Sequence, residues 1–257
     1  MSACRACSDP LVLQLDPEES DGDTATVPDD LLLPCGCHFH WQCMLDQSPQ
    51  IASTLSCPSC HSRLASSAPG SSSAGASLQQ QAGAILARYT NEGGTEDGLD
   101  ILPTVTEEAY LAAHPAARPA RAMHVMCAEG DSAGIVELLR DVDENAEAEE
   151  GGVDAGSLLR YQDPLNGMRS GLHVAVENGQ EGVMWLFLWL GSTLPTSSFP
   201  AAALQTAQSI GLQRGVVGPG REDVRLLRDS QGRTAADIGS QLGGQWRRFW
   251  ESGLLTA

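Results

Sequence analysis

Seven cysteines and one histidine near the start of the chain fall into four closely spaced pairs. Two such side chains separated by one or two residues can turn toward one metal ion, and a tetrahedral Zn²⁺ needs four ligands. The pairs therefore predict two zinc sites. Because four protein ligands leave no open coordination position, we expect both ions to be structural and predict no catalytic residue. The pairs are Cys4 with Cys7, Cys35 with Cys37, His40 with Cys43, and Cys57 with Cys60.

The order and spacing of these pairs resemble the RING-type zinc finger over residues 4–60. In that family the pairs interleave between the two metals. The resemblance implies a small zinc-stabilised α+β finger over residues 1–64. It further implies that the first Zn²⁺ is bound by Cys4, Cys7, His40 and Cys43, and the second by Cys35, Cys37, Cys57 and Cys60.

Two alternatives concern the ligand set and the type of finger. His38 follows Cys37 directly and competes with it as the fourth ligand, although Cys37 has the family spacing. The PHD finger uses the same ligand types in the same order, but it places a tryptophan where this chain has Leu55. We therefore favour Cys37 as the ligand and a RING-type finger.

The resemblance also implies that the finger binds a ubiquitin-conjugating enzyme, which would make the chain a RING-type ubiquitin ligase. Pro58 matches the proline of the family's apolar groove for that enzyme. Ala6 and Gln47 stand where a larger aliphatic residue and a tryptophan are usual, and His61 stands where a basic residue is usual. The alternative is a non-catalytic, zinc-dependent protein-interaction scaffold.

Composition limits the other classes of partner. The formal charge of −18 disfavours nucleic acid and anionic membrane surfaces. The apolar run from Val183 to Leu190 is too short to span a bilayer, and the N-terminal sequence lacks a secretory pattern. We therefore expect an intracellular protein, cytoplasmic or nuclear. In such a reducing compartment, clustered cysteines indicate metal binding and not disulfides.

The chain contains no lysine, and all 15 of its basic residues are arginine. A genome with arginine-rich codon usage explains this composition most simply. A second hypothesis is that a ligase without lysine is protected from modifying itself.

Three regions are expected along the chain. The finger is followed by a flexible linker over residues 65–105, rich in Ser, Ala and Gly near its start. A helical domain occupies residues 106–257, with Thr106 as the predicted cap of its first helix. Residues 141–157 are strongly acidic and are expected to form a solvated insertion.

The helical domain contains a repeat. MHVMCAEGDSAGIVELL from Met123 and LHVAVENGQEGVMWLFL from Leu172 align in their His, Glu, Gly and later apolar positions, and a weaker copy starts at Asp229. The pattern resembles the ankyrin repeat, which implies an all-α stack of helix pairs that binds a protein target. We expect structural roles for His124 and His173. Cys127 is expected to be a buried thiol. Trp185 and Trp189 are expected to pack in the core or between stacked helices, and their exposure would mark a partner surface.

Overall fold

The computed structural model describes residues 3–14, 26–65, 83–148, 153–215 and 221–257. The chain divides into two compact units, Met1–His114 (unit 1) and Pro115–Ala257 (unit 2). Unit 1 combines small antiparallel sheets with short helices, and unit 2 is mostly helical. In the part of the chain that the structure covers, no helix has both the length and the apolar character needed to cross a membrane.

A four-stranded antiparallel sheet is the largest sheet of unit 1, and its strand order is β4-β3-β5-β6. Leu31, at the centre of β3, pairs with Phe39 on one side and with Tyr89 on the other. Leu31 and Phe39 are buried, so the sheet forms one wall of the core. The strands of unit 1 are β1 (Val12–Gln14), β2 (Thr26–Pro28), β3 (Asp30–Leu32), β4 (His38–Phe39), β5 (Leu86–Asn91) and β6 (Gly94–Asp100).

The hairpin of β5 and β6 lies inside the segment expected to be a flexible linker, residues 65–105. Ile85 and Ala87 alternate with exposed residues and point into the core, which is the period of a half-buried strand. Asn91 and Gly94 pair on either side of the turn, where Asn91 Oδ1 accepts the N–H of Gly93 at 2.9 Å. Residues 83–105 are thus part of unit 1, and residues 66–82 lie outside the described residues.

Three helices complete the described part of unit 1: α1 (Trp41–Leu45), α2 (Ser48–Thr54) and α3 (Leu102–Ala113). The last of these starts earlier than the predicted cap at Thr106, because Asp100 Oδ1 already accepts the N–H of Leu102. Thr106 instead lies within α3 and donates its hydroxyl to the carbonyl of Leu102 at 2.7 Å. Buried Ile101 and Val105 place α3 against α2.

Unit 2 is built from consecutive helix pairs. The first helices of the pairs pack in a row, with α4 against α7 and α7 against α10, and α5 packs against α8. A short hairpin of β7 (Gln162–Asp163) and β8 (Arg169–Ser170) leads into α7. The helices are α4 (Arg118–Glu129), α5 (Ser132–Ala148), α6 (Ala155–Leu158), α7 (Gly171–Glu177), α8 (Glu181–Gly191), α9 (Ala201–Ser209), α10 (Ala235–Leu242) and α11 (Arg247–Glu251).

The acidic segment 141–157 is not a loop over its first half. Helix α5 continues through Asp141 to Ala148, since Leu138, Leu139 and Val142 keep an apolar stripe against the core at helical spacing. After residues 149–152, which lie outside the described residues, Asp154 caps α6 by accepting the N–H of Ser157 at 2.6 Å. High acidity alone therefore did not indicate an unstructured segment.

Close packing at the start of α7 explains why a glycine stands there. A Cβ built on Gly171 would lie 2.4 Å from Cζ of Phe187 and 3.1 Å from Sγ of Cys127. Phe187 and Cys127 are fully buried, so the ring and the thiol cannot move away without opening the core. The expected burial of Cys127 is confirmed.

The helices α7 and α10 begin in the same way. Ser170 precedes α7, and Nδ1 of His173 lies 2.7 Å from its hydroxyl and 3.2 Å from its backbone nitrogen. Thr234 precedes α10 and makes the equivalent exchange with Asp237. His173 also reaches the next pair, because its Nε2 lies 3.0 Å from the carbonyl of Arg233.

Candidate metal centres

The structure brings the four cysteine and histidine pairs together as two groups of four. In each group the ligand atoms all lie within 4.8 Å of one another. The first group is Cys4, Cys7, His40 and Cys43, and the second is Cys35, Cys37, Cys57 and Cys60. The groups are interleaved along the chain, so each one ties together segments that are distant in sequence.

Cys4–Cys7 and Cys57–Cys60 sit in two turns with the same backbone pattern. The N–H of Cys4 donates to the carbonyl of Asp9, and the N–H of Cys57 donates to the carbonyl of Ser62, both at 2.9 Å. The residue after each second cysteine, Ser8 or His61, has a positive φ of 70° or 59°. Two stretches of unrelated sequence thus form the same tight turn, which presents both sulfurs on one side.

The remaining pairs lie around β4 and α1. Gly36 separates Cys35 from Cys37 and has φ +82°, a conformation that costs little only for glycine. The N–H of Leu33 then donates to the carbonyl of Cys37 and closes the turn. His40 immediately precedes α1, and Cys43 lies in that helix, so both side chains turn to the same face.

Hydrogen bonds fix the orientation of His40. Its Nε2 lies 2.9 Å from the carbonyl oxygen of Pro10, an acceptor, so this nitrogen carries the proton. Nδ1 is therefore the free lone pair, and it lies 3.3 Å from Sγ of Cys7 and 3.8 Å from Sγ of Cys43. A carbonyl behind the distal nitrogen is the usual support of a metal-binding imidazole.

Asp29, between β2 and β3, supports the start of α1 next to this histidine. It is buried, and its carboxylate accepts the N–H of Trp41 at 3.1 Å and the hydroxyl of Tyr89 at 3.0 Å. Burial, followed by the hydrogen bond to Asp29, raises the pKa of Tyr89 to about 12. The hairpin that carries Tyr89 thus helps to hold the start of α1, where His40 and Cys43 are presented.

His38 is directed away from the second group. Its Nδ1 lies 2.7 Å from Oδ1 of Asp30 on the neighbouring strand β3, whereas Cys37 is buried within the group. Of the two alternatives for the fourth ligand, the geometry favours Cys37.

Each group combines thiols of very different acidity. Burial raises the pKa of Cys35 and of Cys43 to about 12. In the first group, burial of Cys4 acts in the same direction, but backbone N–H groups directed at its sulfur lower its pKa to about 6. Hydrogen bonds from Ser62 lower the pKa of Cys60 to about 6. Since a metal requires thiolates, binding must release protons from the high-pKa thiols, and occupancy must fall as the pH falls.

The donor sets fit zinc. In a tetrahedral site with Zn–S bonds of about 2.3 Å, the sulfur atoms are about 3.8 Å apart. The observed spacing within each group leaves room for one such ion. Thiolate and imidazole are the ligands that select zinc over magnesium or calcium. Two metal ions can therefore be held, each by four protein ligands.

Comparison with known proteins adds no relative. No protein-family model, curated protein or solved structure matches the chain. The functional assignment therefore depends on the residues and their geometry.

The residues predicted to contact a conjugating enzyme lie at the two cysteine turns and between α1 and α2. Ala6 is exposed within the first turn, Pro58 is half-buried within the second, and Gln47 is half-buried between α1 and α2. Their accessible positions leave a role in partner binding open, and that role stays a prediction.

Sequence reasoning missed Asp29 and Tyr89. Neither belongs to a ligand motif, and the two are distant in sequence, so only the pairing of β3 with β5 brings them together. The sequence offers one indication for Asp29, which stands just before the predicted strand that leads into the ligand pairs.

Proposed function

We propose that this chain is a zinc-stabilised RING-type protein that binds a ubiquitin-conjugating enzyme through unit 1 and a protein target through unit 2. The observation that carries the proposal is the interleaving of the two groups of four. Zinc fingers with sequential sites would pair Cys4 and Cys7 with the next two ligands, Cys35 and Cys37. Here the first pair shares a site with the third, and the second pair shares a site with the fourth, which is the arrangement of RING fingers.

In this proposal unit 1 is a platform and has no nucleophile of its own. Every cysteine of the chain apart from Cys127 belongs to one of the two groups, and Cys127 is buried in unit 2. A ligase of this kind orients the charged conjugating enzyme so that the acceptor amine attacks its thioester directly. Ala6 and Pro58 would form part of the contact surface.

Unit 2 supplies the target-binding half of the proposal. Its stacked helix pairs support an ankyrin-like arrangement, and the bond from His173 to the carbonyl of Arg233 joins one pair to the next. Because each pair buries its apolar face only against a neighbour, such stacks present extended surfaces suited to proteins.

A discharge assay tests the activity. A conjugating enzyme loaded with ubiquitin is mixed with the zinc-loaded full chain and free lysine, and loss of the thioester is followed. We expect acceleration by the wild-type chain and by Cys127→Ser, which makes the same atom change outside the metal groups. Cys57→Ser should abolish the acceleration because it removes a buried ligand.

A second variant separates recruitment from folding. Pro58→Ala should reduce the acceleration while the zinc content stays at the wild-type value. No acceleration with any of a broad panel of conjugating enzymes would reject the ligase and favour the alternative, a zinc-dependent scaffold. The small residue at Ala6 and the polar one at Gln47 are the features that favour this alternative.

A further inference from the structure

Unit 2 contains a wide groove between α5 and α9 with α8 as its floor, here called the α5–α9 groove. Its volume is about 850 Å³. Val136 of α5, Trp185, Leu186 and Trp189 of α8, Phe199 and Ala207 line its apolar part. The first helices of the pairs, α4, α7 and α10, pack in a row elsewhere in the unit.

The aromatic floor offers little hydrogen-bonding capacity. Trp189 donates its indole N–H to the carbonyl of Leu212 at 3.2 Å, and Trp185 donates to Glu181 at 3.3 Å. Phe199 packs edge-on against Trp189 with ring centroids 5.2 Å apart. Since both indole nitrogens are already satisfied, a ligand must contact this floor through apolar groups.

The wall formed by α5 is acidic. Glu137, Asp141 and Glu144 are exposed at i, i+4 and i+7, which places them along one side of the helix. Within the described residues no cation forms an ion pair with these three carboxylates. Arg140 lies among them, but it donates to the carbonyl of Ile210 at 2.8 Å and thereby joins α5 to the end of α9.

We propose that the α5–α9 groove binds an amphipathic helix of a partner protein, with an apolar face on the tryptophan floor and lysine or arginine side chains along the acidic wall. Helices bind in grooves through apolar anchors spaced by three or four residues. Glu137, Asp141 and Glu144 have the same helical spacing. A partner helix aligned with α5 would therefore place one basic residue per turn next to a carboxylate. A small apolar ligand would leave that wall unused.

This inference deepens the target-binding half of the proposed function and rests on it, although it is tested without the conjugating enzyme. The partner would bring lysines to a chain that has none. A failure of peptide binding with normal discharge activity rejects the groove alone. The opposite result rejects the ligase alone.

The test measures fluorescence anisotropy of a labelled leucine–lysine peptide about as long as α5, with leucines on one helical face. We expect it to bind the full chain with affinity that weakens as salt is added. The variant Glu137→Gln/Asp141→Asn/Glu144→Gln should bind about tenfold more weakly at low salt. Ala133→Trp fills the groove from an exposed position on α5 and should weaken binding at any salt concentration.

Two matched controls guard against unspecific attraction to an acidic protein. The variant Glu92→Gln/Glu96→Gln/Glu129→Gln removes the same charge from exposed sites outside the groove and should bind the peptide like the wild type. A peptide of the same composition with scrambled leucines should bind weakly. Equal binding of both peptides, equal loss in both triple variants, or binding of a fatty acid without competition from the peptide would overturn the proposal.

Discussion

The two units of this chain differ in the residues that form their cores. In unit 1 the elements next to the ligand pairs are short, such as β4 with two residues and α1 with five, and Cys4, Cys37 and Cys57 are part of its buried core. In unit 2 the longer helices bury large apolar side chains such as Leu172 and Phe187. We therefore expect that bound metal stabilises the short elements of unit 1, whereas the amphipathic helices of unit 2 stabilise each other by packing.

Metal removal is expected to give the largest difference in stability between the two units. Chelation at neutral pH should unfold unit 1 around its two groups, because structural zinc contributes roughly 10–16 kcal/mol per site. The helical circular-dichroism signal of unit 2 and its thermal transition should persist. Re-addition of zinc should restore unit 1, as followed by hydrogen exchange of the amides around Cys4 and Cys57.

A simultaneous loss of both units on chelation would contradict the comparison. The opposite result, an unchanged exchange pattern around both metal groups, would show that unit 1 does not depend on metal.

A substitution in the apolar core of unit 2 should have the opposite pattern of effects. Phe187→Ala removes a fully buried ring packed over Gly171 and should destabilise unit 2 by about 3–5 kcal/mol. Zinc content should remain as in the wild type. Denaturant unfolding of the full chain, followed by helical signal, measures the loss. A reduced metal content in the folded variant would show that the two sources of stability are not separate.

The smallest expected effect concerns the support that the β5–β6 hairpin gives to the start of α1. Tyr89→Phe removes the hydroxyl that donates to the buried carboxylate of Asp29 and should destabilise zinc-loaded unit 1 by about 1–2 kcal/mol. A double-mutant cycle with Asp29→Asn should show coupling between the two positions. Strictly additive effects would mean that the hydrogen bond does not contribute to the support of α1.

The candidate metal site was accessible from sequence because metal coordination demands particular residue types at short spacings. Cys57 and Cys60 had to be neighbours in space for local reasons alone. The turns themselves were not predicted. Ser8 and His61 have a positive φ although neither is a glycine, and each donates its N–H to the carbonyl of the first cysteine of its pair, Cys4 or Cys57.

The fold was less accessible wherever distant segments decide the structure. Residues 83–100 contain glycine, acidic residues and few apolar ones, so their hairpin was missed; its pairing with β3 supplies the missing stabilisation. In unit 2 the matching motifs at Leu172 and Met123 predicted helix pairs because helical periodicity is local. The alignment does not extend to the role of the histidine. His173 bonds to Ser170 and Arg233 at the start of its helix, whereas His124 lies inside α4 and is buried beside Tyr161, where burial lowers its pKa to about 4.

The most direct test of this account is native mass spectrometry of the full chain purified without added metal and then exposed to a slight excess of zinc. The account predicts two tightly bound zinc ions per chain, in the wild type and in Cys127→Ser alike, and fewer than two in Cys57→Ser. A wild-type chain that retains one ion or none under these conditions would contradict it.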